Sequence, residues 1–280
     1  MTRIITSLSE ISESYDALFC DLWGCVHDGL APFAEAVAAL QAFRARGGTV
    51  MLVTNAPRPH APVRRQLDRL GVPSDAYDGI ATSGDSARAA MLRGAVGEKV
   101  YFIGQPHDQD FFAPLELIEN PVKISQVPLE QAEGMVCCGP FDPLADPEEM
   151  RAQFLQAKTR GLKLLCANPD IVVDRGETRE WCAGALAKLY TEMGGESLYF
   201  GKPHPPIYDL ARRRLQALGK DIPDSQILCV GDGILTDIDG AMGEDLDSLF
   251  ITGGLTARET QTTDQPDPKA LMAYLTKEMR

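Results

Sequence analysis

Short runs of continuous apolarity alternate with longer stretches in which apolar residues recur every three or four positions, and the alternation continues along most of the chain. Unbroken apolar runs suit strands buried on both faces of a parallel sheet, and the longer spacing suits helices laid over it. Ala17-Leu18-Phe19-Cys20 reads as the first strand and runs straight into Asp21. Phe33, Val37, Leu40 and Phe43 mark the helix after it, closed by Gly47-Gly48. Thr49 to Val53 is a second strand ending in Thr54-Asn55. After Pro57 and Pro59 a helix runs to about Leu70, closed by Gly71, and a short strand near Gly79-Ile80-Ala81 ends in Thr82-Ser83. The fold class is α/β, with helices over a mostly parallel sheet.

A section of different rhythm follows. Lys99 to Ile103, Val122 to Gln126, Met135 to Cys138 and Leu162 to Cys166 read as strands, with a helix from about Pro147 to Arg160 and irregular stretches rich in Pro and acidic residues between them. The opening rhythm returns at Ser197-Leu198-Tyr199-Phe200 before Gly201-Lys202. It continues through a helix from about Pro205 to Leu218 and through Gln226 to Val230, which runs into Gly231-Asp232. A last amphipathic helix is expected after Thr256. The pattern predicts a core domain of residues 1–84 plus 197–280, interrupted by an inserted domain over 85–196; both are of ordinary domain size.

Composition narrows the class of partner. The 280 residues carry 27 Lys+Arg against 40 Asp+Glu, a net charge of −13, which argues against nucleic acid and anionic membrane surfaces. A small anion stays open, provided local cations receive it. No run approaches the roughly 20 apolar residues of a membrane span, and Met1 to Thr6 lead into polar residues without a signal-peptide core. A soluble cytoplasmic protein is expected. The seven Cys include the adjacent pair Cys137-Cys138 and no C-x-x-C spacing, and read as reduced buried thiols. The four His fall at no metal-binding spacing and read as solvated or capping residues; Trp181 with Leu186, Leu189 and Tyr190 reads as core packing.

Chemistry gathers at the strand ends. In an open α/β sheet, ligands bind outside the carboxyl ends of the strands. There stand Asp21, Thr54-Asn55, Lys202 just beyond Phe200, and Asp232 followed by Asp237. Carboxylates, a hydroxyl, an amide and an ammonium at one edge make a site for Mg²⁺ and phosphate, with hard oxygens for the cation and donors for the anion. Taken singly, each has a plainer reading: a strand-end Asp as a turn or helix cap, Gly-Lys-Pro as a solvated loop, Gly231 to Asp237 as a simple turn.

As an ordered set, Asp21-Leu22-Trp23-Gly24, Thr54-Asn55, Gly201-Lys202-Pro203 and Gly231-Asp232 with Thr236-Asp237 resemble the four motifs of the haloacid dehalogenase superfamily. More narrowly, the chain looks like the capped class IIA branch, which holds p-nitrophenyl, sugar, nucleotide and pyridoxal phosphate phosphatases. Ala167-Asn168-Pro169-Asp170, inside the insertion, fits that branch. The resemblance implies a Rossmann-like core with an inserted α/β cap, and a small phosphorylated metabolite as substrate. Asp21 would attack phosphorus and form an aspartyl phosphate that water then hydrolyses. Thr54 would hold the phosphoryl oxygens, and Lys202 would balance charge. Asp232 would bind Mg²⁺ with Asp21 and the Trp23 main-chain carbonyl, while Asp237 would position the metal. Asn55, Asn168 and Asp170 are the further substrate-contact candidates, although Asn-Pro-Asp is also turn chemistry. Cap-to-cap homodimers are common in that branch.

One position departs from the pattern. Phosphatases of the superfamily carry a second Asp two residues after the nucleophile as acid and base; here it is Trp23. An indole has no useful acidity, and general acid–base help is typically worth about 10²–10⁴ in rate. Turnover is therefore expected to be impaired or selective for good leaving groups, unless His27 or Asp28 substitutes. Two alternatives follow from the same residue: a binding module that kept the Mg²⁺ and phosphate pocket but lost turnover, and a dehalogenase-like hydrolase, whose branch commonly carries an aromatic residue there. The intact motif from Gly231-Asp232 to Asp237 keeps carboxylates that metal-free attack on carbon does not need, and so favours phosphate chemistry.

Overall fold

The computed structural model describes residues 3–113, 120–175 and 178–254, so the helix expected after Thr256 lies outside the described residues. In chain order the elements are β1 (Ala17–Cys20), α1 (Ala34–Ala45), β2 (Thr49–Thr54), α2 (His60–Leu70), β3 (Gly79–Thr82), α3 (Ser83–Leu92), β4 (Lys99–Ile103), β5 (Ser125–Gln126), β6 (Gly134–Cys137), α4 (Arg151–Thr159), β7 (Lys163–Cys166), β8 (Val172–Arg175), β9 (Thr178–Trp181), α5 (Ala183–Glu192), β10 (Glu196–Tyr199), α6 (Pro205–Ala217), β11 (Ile227–Gly231), α7 (Asp239–Gly243) and β12 (Asp247–Phe250). The described residues form two compact units, one drawn from the spans Met1–Thr54, Arg64–Ala81 and Tyr208–Arg280, the other from Asn55–Val63 and Thr82–Ile207. No helix among the described residues is long and apolar enough to cross a membrane.

The first unit is built on a sheet in the order β12-β11-β1-β2-β3. β1 lies at its centre, parallel to both neighbours, with Cys20 level with Leu52 on β2 and with Val230 on β11. Every residue of β1, β2 and β11 is buried, which is why these stretches read as unbroken apolarity. From β1 the chain passes to β2 on one side and later to β11 on the other. That reversal sets the carboxyl ends of β1 and β11 side by side at a topological switch point. The Asp21 N–H still donates to the Val230 carbonyl, 2.8 Å away, so the residue beyond β1 keeps the register of the sheet.

The second unit has its own parallel sheet, in the order β10-β7-β6-β4-β5. Side chains alternate across it. Ile103, Met135 and Leu164 pack with Phe154 of α4 and with Leu186 and Tyr190 of α5, while Val100, Val136 and Leu165 pack with Ala87 and Met91 of α3. The Tyr190 hydroxyl is buried too and donates to the Leu162 carbonyl.

Several elements differ from the sequence pattern. Ser197 to Phe200 reads as a return to the first sheet, but the strand formed there, β10, pairs with β7, Leu198 beside Leu165 and Tyr199 beside Cys166. Local apolarity specifies a strand without specifying which sheet receives it. Val122 to Gln126 shortens to the exposed pair Ser125–Gln126, and Pro147 to Arg160 divides into a 3-10 turn over Pro147–Met150 followed by α4. Leu186, Leu189 and Tyr190 are core residues as expected, whereas Trp181 is 36% exposed at the end of the β8–β9 hairpin.

Phe154 is fully buried, with its ring 5.3 Å from that of Tyr190. Phe154→Ala is expected to destabilise the second unit by about 3–5 kcal/mol through lost burial and a residual cavity. Its neighbour Leu155 is 54% exposed, and Leu155→Ala should stay within about 0.5 kcal/mol of the parent. Urea unfolding of the two variants separates these outcomes.

Candidate functional site

Asp21 and Asp232 leave the ends of β1 and β11, and both are buried, 9% and 4% exposed. A carboxylate oxygen from each and the Cys25 sulfur all lie within 4.8 Å of one another. Two buried carboxylates at this range oppose each other's charge unless a cation or a proton intervenes. Their hard oxygens fit Mg²⁺. Gly24 makes room for them: its φ is +76°, and a Cβ there would lie 1.9 Å from Asp232 Oδ2. Cys25 is a feature that the sequence reading did not single out. Burial, then the charges of Asp232 and Asp21, push its thiol well above the ordinary range, so it stays protonated, with Sγ 3.9 Å from Asp232 Oδ1. No spacing rule separates this thiol from the other six, all of which are buried and outside any disulfide.

Thr54, at the end of β2, is buried in the same unit. Asp237 is buried in the turn after β11, outside the Asp21–Cys25–Asp232 group. Its Oδ2 accepts from the Gly233 N–H at 3.1 Å and from the Thr236 hydroxyl at 3.4 Å.

Between β1 and α1 the chain folds into a tight loop, in which the N–H groups of Val26 and His27 both donate to the Leu22 carbonyl and that of Phe33 to the Val26 carbonyl. Trp23 and His27 meet edge to face, ring centroids 5.0 Å apart. A Cβ on Gly29, whose φ is +85°, would stand 2.3 Å from the indole. His27 is 1% exposed, and is therefore neither solvated nor a cap. Its Nδ1 accepts from the Gly29 N–H at 3.0 Å, which leaves the ring proton on Nε2. Burial lowers its pKa from 6.5 to about 4. Asp28 accepts from the N–H groups of Ala31 and Leu30, each at 2.8 Å, and these bonds hold its carboxyl below the usual range. Both groups considered as substitutes for the missing acid are thus engaged within the loop.

The remaining predicted residues meet in the second unit. Lys202, 3% exposed, follows β10. Its N–H donates to Asn55 Oδ1 at 2.7 Å, while Asn55 Nδ2 donates to Asp170 Oδ1 at 2.7 Å and to the Lys202 carbonyl at 3.1 Å. Asn168 Oδ1 accepts from the Asp170 N–H at 3.0 Å, a side-chain turn of the kind that Asn-Pro-Asp favours. A further cluster lies in the same unit, with Asp85 and Arg88 buried and His60 exposed. Asp85 accepts from Arg88 at 3.3 Å and faces His60 Nδ1 at 2.8 Å, and Arg88 Nε donates to the Phe111 carbonyl. An Asp and an Arg three apart on a helix read as a solvated face, so the sequence carried no signal for it.

A haloacid dehalogenase-like hydrolase family model matches residues 18–117, and a second model of the same kind matches residues 199–277. A solved haloacid dehalogenase-like hydrolase from Brucella suis 1330 is 42% identical, with a TM-score of 0.84 over 91% of this chain and 95% of that one. A 5'-nucleotidase of Bacillus subtilis is 25% identical over 94% of this chain and 97% of its own length. A glycerol phosphate phosphatase of Mycobacterium tuberculosis, solved in complex with magnesium, is 25% identical with a TM-score of 0.65, covering 88% of this chain and 70% of that one.

The His27 environment makes stability depend on pH. Unfolded, the imidazole takes its proton near 6.5, and folded near 4; the unfolded state therefore binds more protons between these values, and stability falls as pH falls through that window. His27→Gln is expected to flatten this part of the profile. Denaturant unfolding followed from neutral pH down to about 4 checks it, and equal slopes in parent and variant would refute it.

Proposed function

Because the chain belongs to the haloacid dehalogenase-like hydrolase family, we propose that it is a divalent-metal-dependent phosphatase of small phosphomonoesters in which Asp21 is the nucleophile. The observation that carries this reading is the pair of buried carboxylates, Asp21 and Asp232, at the ends of adjacent parallel strands. The phosphatase names of the curated relatives support it, as does the magnesium complex of one solved relative for the metal.

Asp21, Asp232 and the Trp23 carbonyl would hold Mg²⁺, with Asp237 positioning it. When bound, the cation neutralises carboxylate and phosphate charge, which otherwise oppose attack. The Asp21 carboxylate oxygen forms a bond to phosphorus as the bond to the leaving oxygen breaks. Water then attacks the aspartyl phosphate, releasing orthophosphate and restoring Asp21. Thr54 binds the phosphoryl oxygens, and motif order assigns Lys202 to charge balance. Proton delivery to the leaving oxygen has no carboxyl at position 23. His27 is a weak proton donor at neutral pH, being uncharged there, and Asp28 is held ionised by its loop.

Trp23 also favours a second reading, retained binding without turnover. Calorimetry with Mg²⁺ and orthophosphate, run beside a phosphate-release screen over sugar, nucleotide, cofactor and aryl phosphates, distinguishes the two.

Under the first reading, aryl phosphates should turn over faster than alkyl phosphates by about 10²–10⁴, the usual worth of the missing acid. Asp21→Asn should abolish release from p-nitrophenyl phosphate; unchanged hydrolysis in that variant would end the proposal. For the metal, Gly24→Ala is expected to weaken Mg²⁺ binding at least tenfold, on the order of one lost carboxylate contact, because the added methyl occupies the place of Asp232 Oδ2. Isothermal titration with Mg²⁺ reads this without any substrate.

A further inference from the structure

We infer that Asp170 is a positioning residue which acts through Asn55 to fix the backbone of Lys202, rather than a group that touches substrate. The role of Lys202 in this inference rests on the phosphatase reading.

The Asn55 side chain is 3% exposed and committed on every side. Its Oδ1 accepts the Lys202 N–H, one Nδ2 hydrogen goes to the Lys202 carbonyl, and the other goes to Asp170 Oδ1. The amide has one sensible orientation. Turned over, it would set its oxygen against a carboxylate and a carbonyl, and its NH₂ against an N–H. One side chain thus grips both polar groups of the residue that carries the ammonium, and a carboxylate fixes which way that side chain faces. The bond to Asp170 is charge-assisted, the stronger kind, and it polarises the amide toward its other partners.

The surroundings hold the relay at both ends. A Cβ on Gly201 would lie 2.4 Å from Asn55 Oδ1 and 2.7 Å from Pro169 Cδ, so only glycine lets the segment before Lys202 approach this closely. At the other end, the Gly184 N–H in the first turn of α5 donates to the Asp170 carbonyl at 3.1 Å. A Cβ on Gly184 would lie 2.1 Å from the Pro169 carbonyl oxygen. The Asp170 N–H is taken by Asn168. Asp170 therefore presents its carboxylate from a turn that is itself pinned to a helix. A residue that contacts a variable leaving group would not need its partner amide to be satisfied within the protein.

Two measurements test this on the full chain. Asp170→Ala is expected to lower kcat on p-nitrophenyl phosphate by about 10–100-fold, the worth of a hydrogen bond to a charged group, while KM changes by less than about threefold. Asp170→Asn keeps an acceptor oxygen for Asn55 and should recover most of the loss. Amide hydrogen exchange in the same variants should be faster at Lys202 in Asp170→Ala by about tenfold or more, near parental in Asp170→Asn, and unchanged along β11. A raised KM or a reordered substrate preference, with exchange at Lys202 unchanged, would overturn the inference and make Asp170 a substrate contact. Global loss of protection in the alanine variant leaves the decision to Asp170→Asn and Asn55→Ala, of which the second must then expose the Lys202 amide and the first must not. If the parent protein releases no phosphate from any ester, the phosphatase reading falls, and exchange at Lys202 still decides whether the relay exists.

Discussion

The constraint on which the first unit turns is that two carboxylates, Asp21 and Asp232, are kept out of water and close together. Burial of like charges is costly, and a fold tolerates it only where the backbone leaves them no way apart. The parallel register of β1 and β11 does this, with Asp21 hydrogen-bonded to the strand that leads to Asp232. The neighbourhood is adapted to the same charge. Gly24 sets no side chain against Asp232, and the Cys25 thiol remains neutral because burial and then those carboxylates oppose its ionisation. A hard cation finds oxygen there and no competing thiolate.

The second unit solves a different problem, that of holding a buried lysine. Lys202 is almost inaccessible, and its main chain is bonded to the Asn55 amide while the strand that precedes it, β10, is paired into the parallel sheet of that unit. A long flexible side chain loses rotamer freedom when it is fixed, and a rigid backbone beneath it limits how much further ordering a ligand must impose. Asn55 follows Thr54 directly in the chain, so the residue next to the expected phosphate-binding hydroxyl is also the one that steadies the expected phosphate-binding cation.

Much of this was legible beforehand because the signals were either periodic or attached to strand ends. Unbroken apolar runs located β1, β2 and β11, since a strand covered on both faces has no polar side to show. The polar residue that ended each run is the one to which the proposed chemistry is given. What escaped was whatever depends on partners distant in sequence. Ser197 to Tyr199 is apolar enough for either sheet, and only the pairing of Leu198 with Leu165 decides. Asn55 and Asp170 stand 115 residues apart, and each alone reads as an ordinary loop residue. His27 looked like a loop histidine because its burial comes from Trp23 and from a backbone that doubles back at Gly29, which no spacing rule anticipates.

The contact between Trp23 and Gly29 ties two positions into one heritable unit. The indole lies where any side chain at 29 would have to go, and the His27 ring takes its orientation from the Gly29 amide. A chain that exchanged the indole for a small acid would lose the edge against which His27 packs. A chain that exchanged Gly29 first would expel the indole. The two changes are therefore non-additive, since a side chain at position 29 is excluded only while the indole is present.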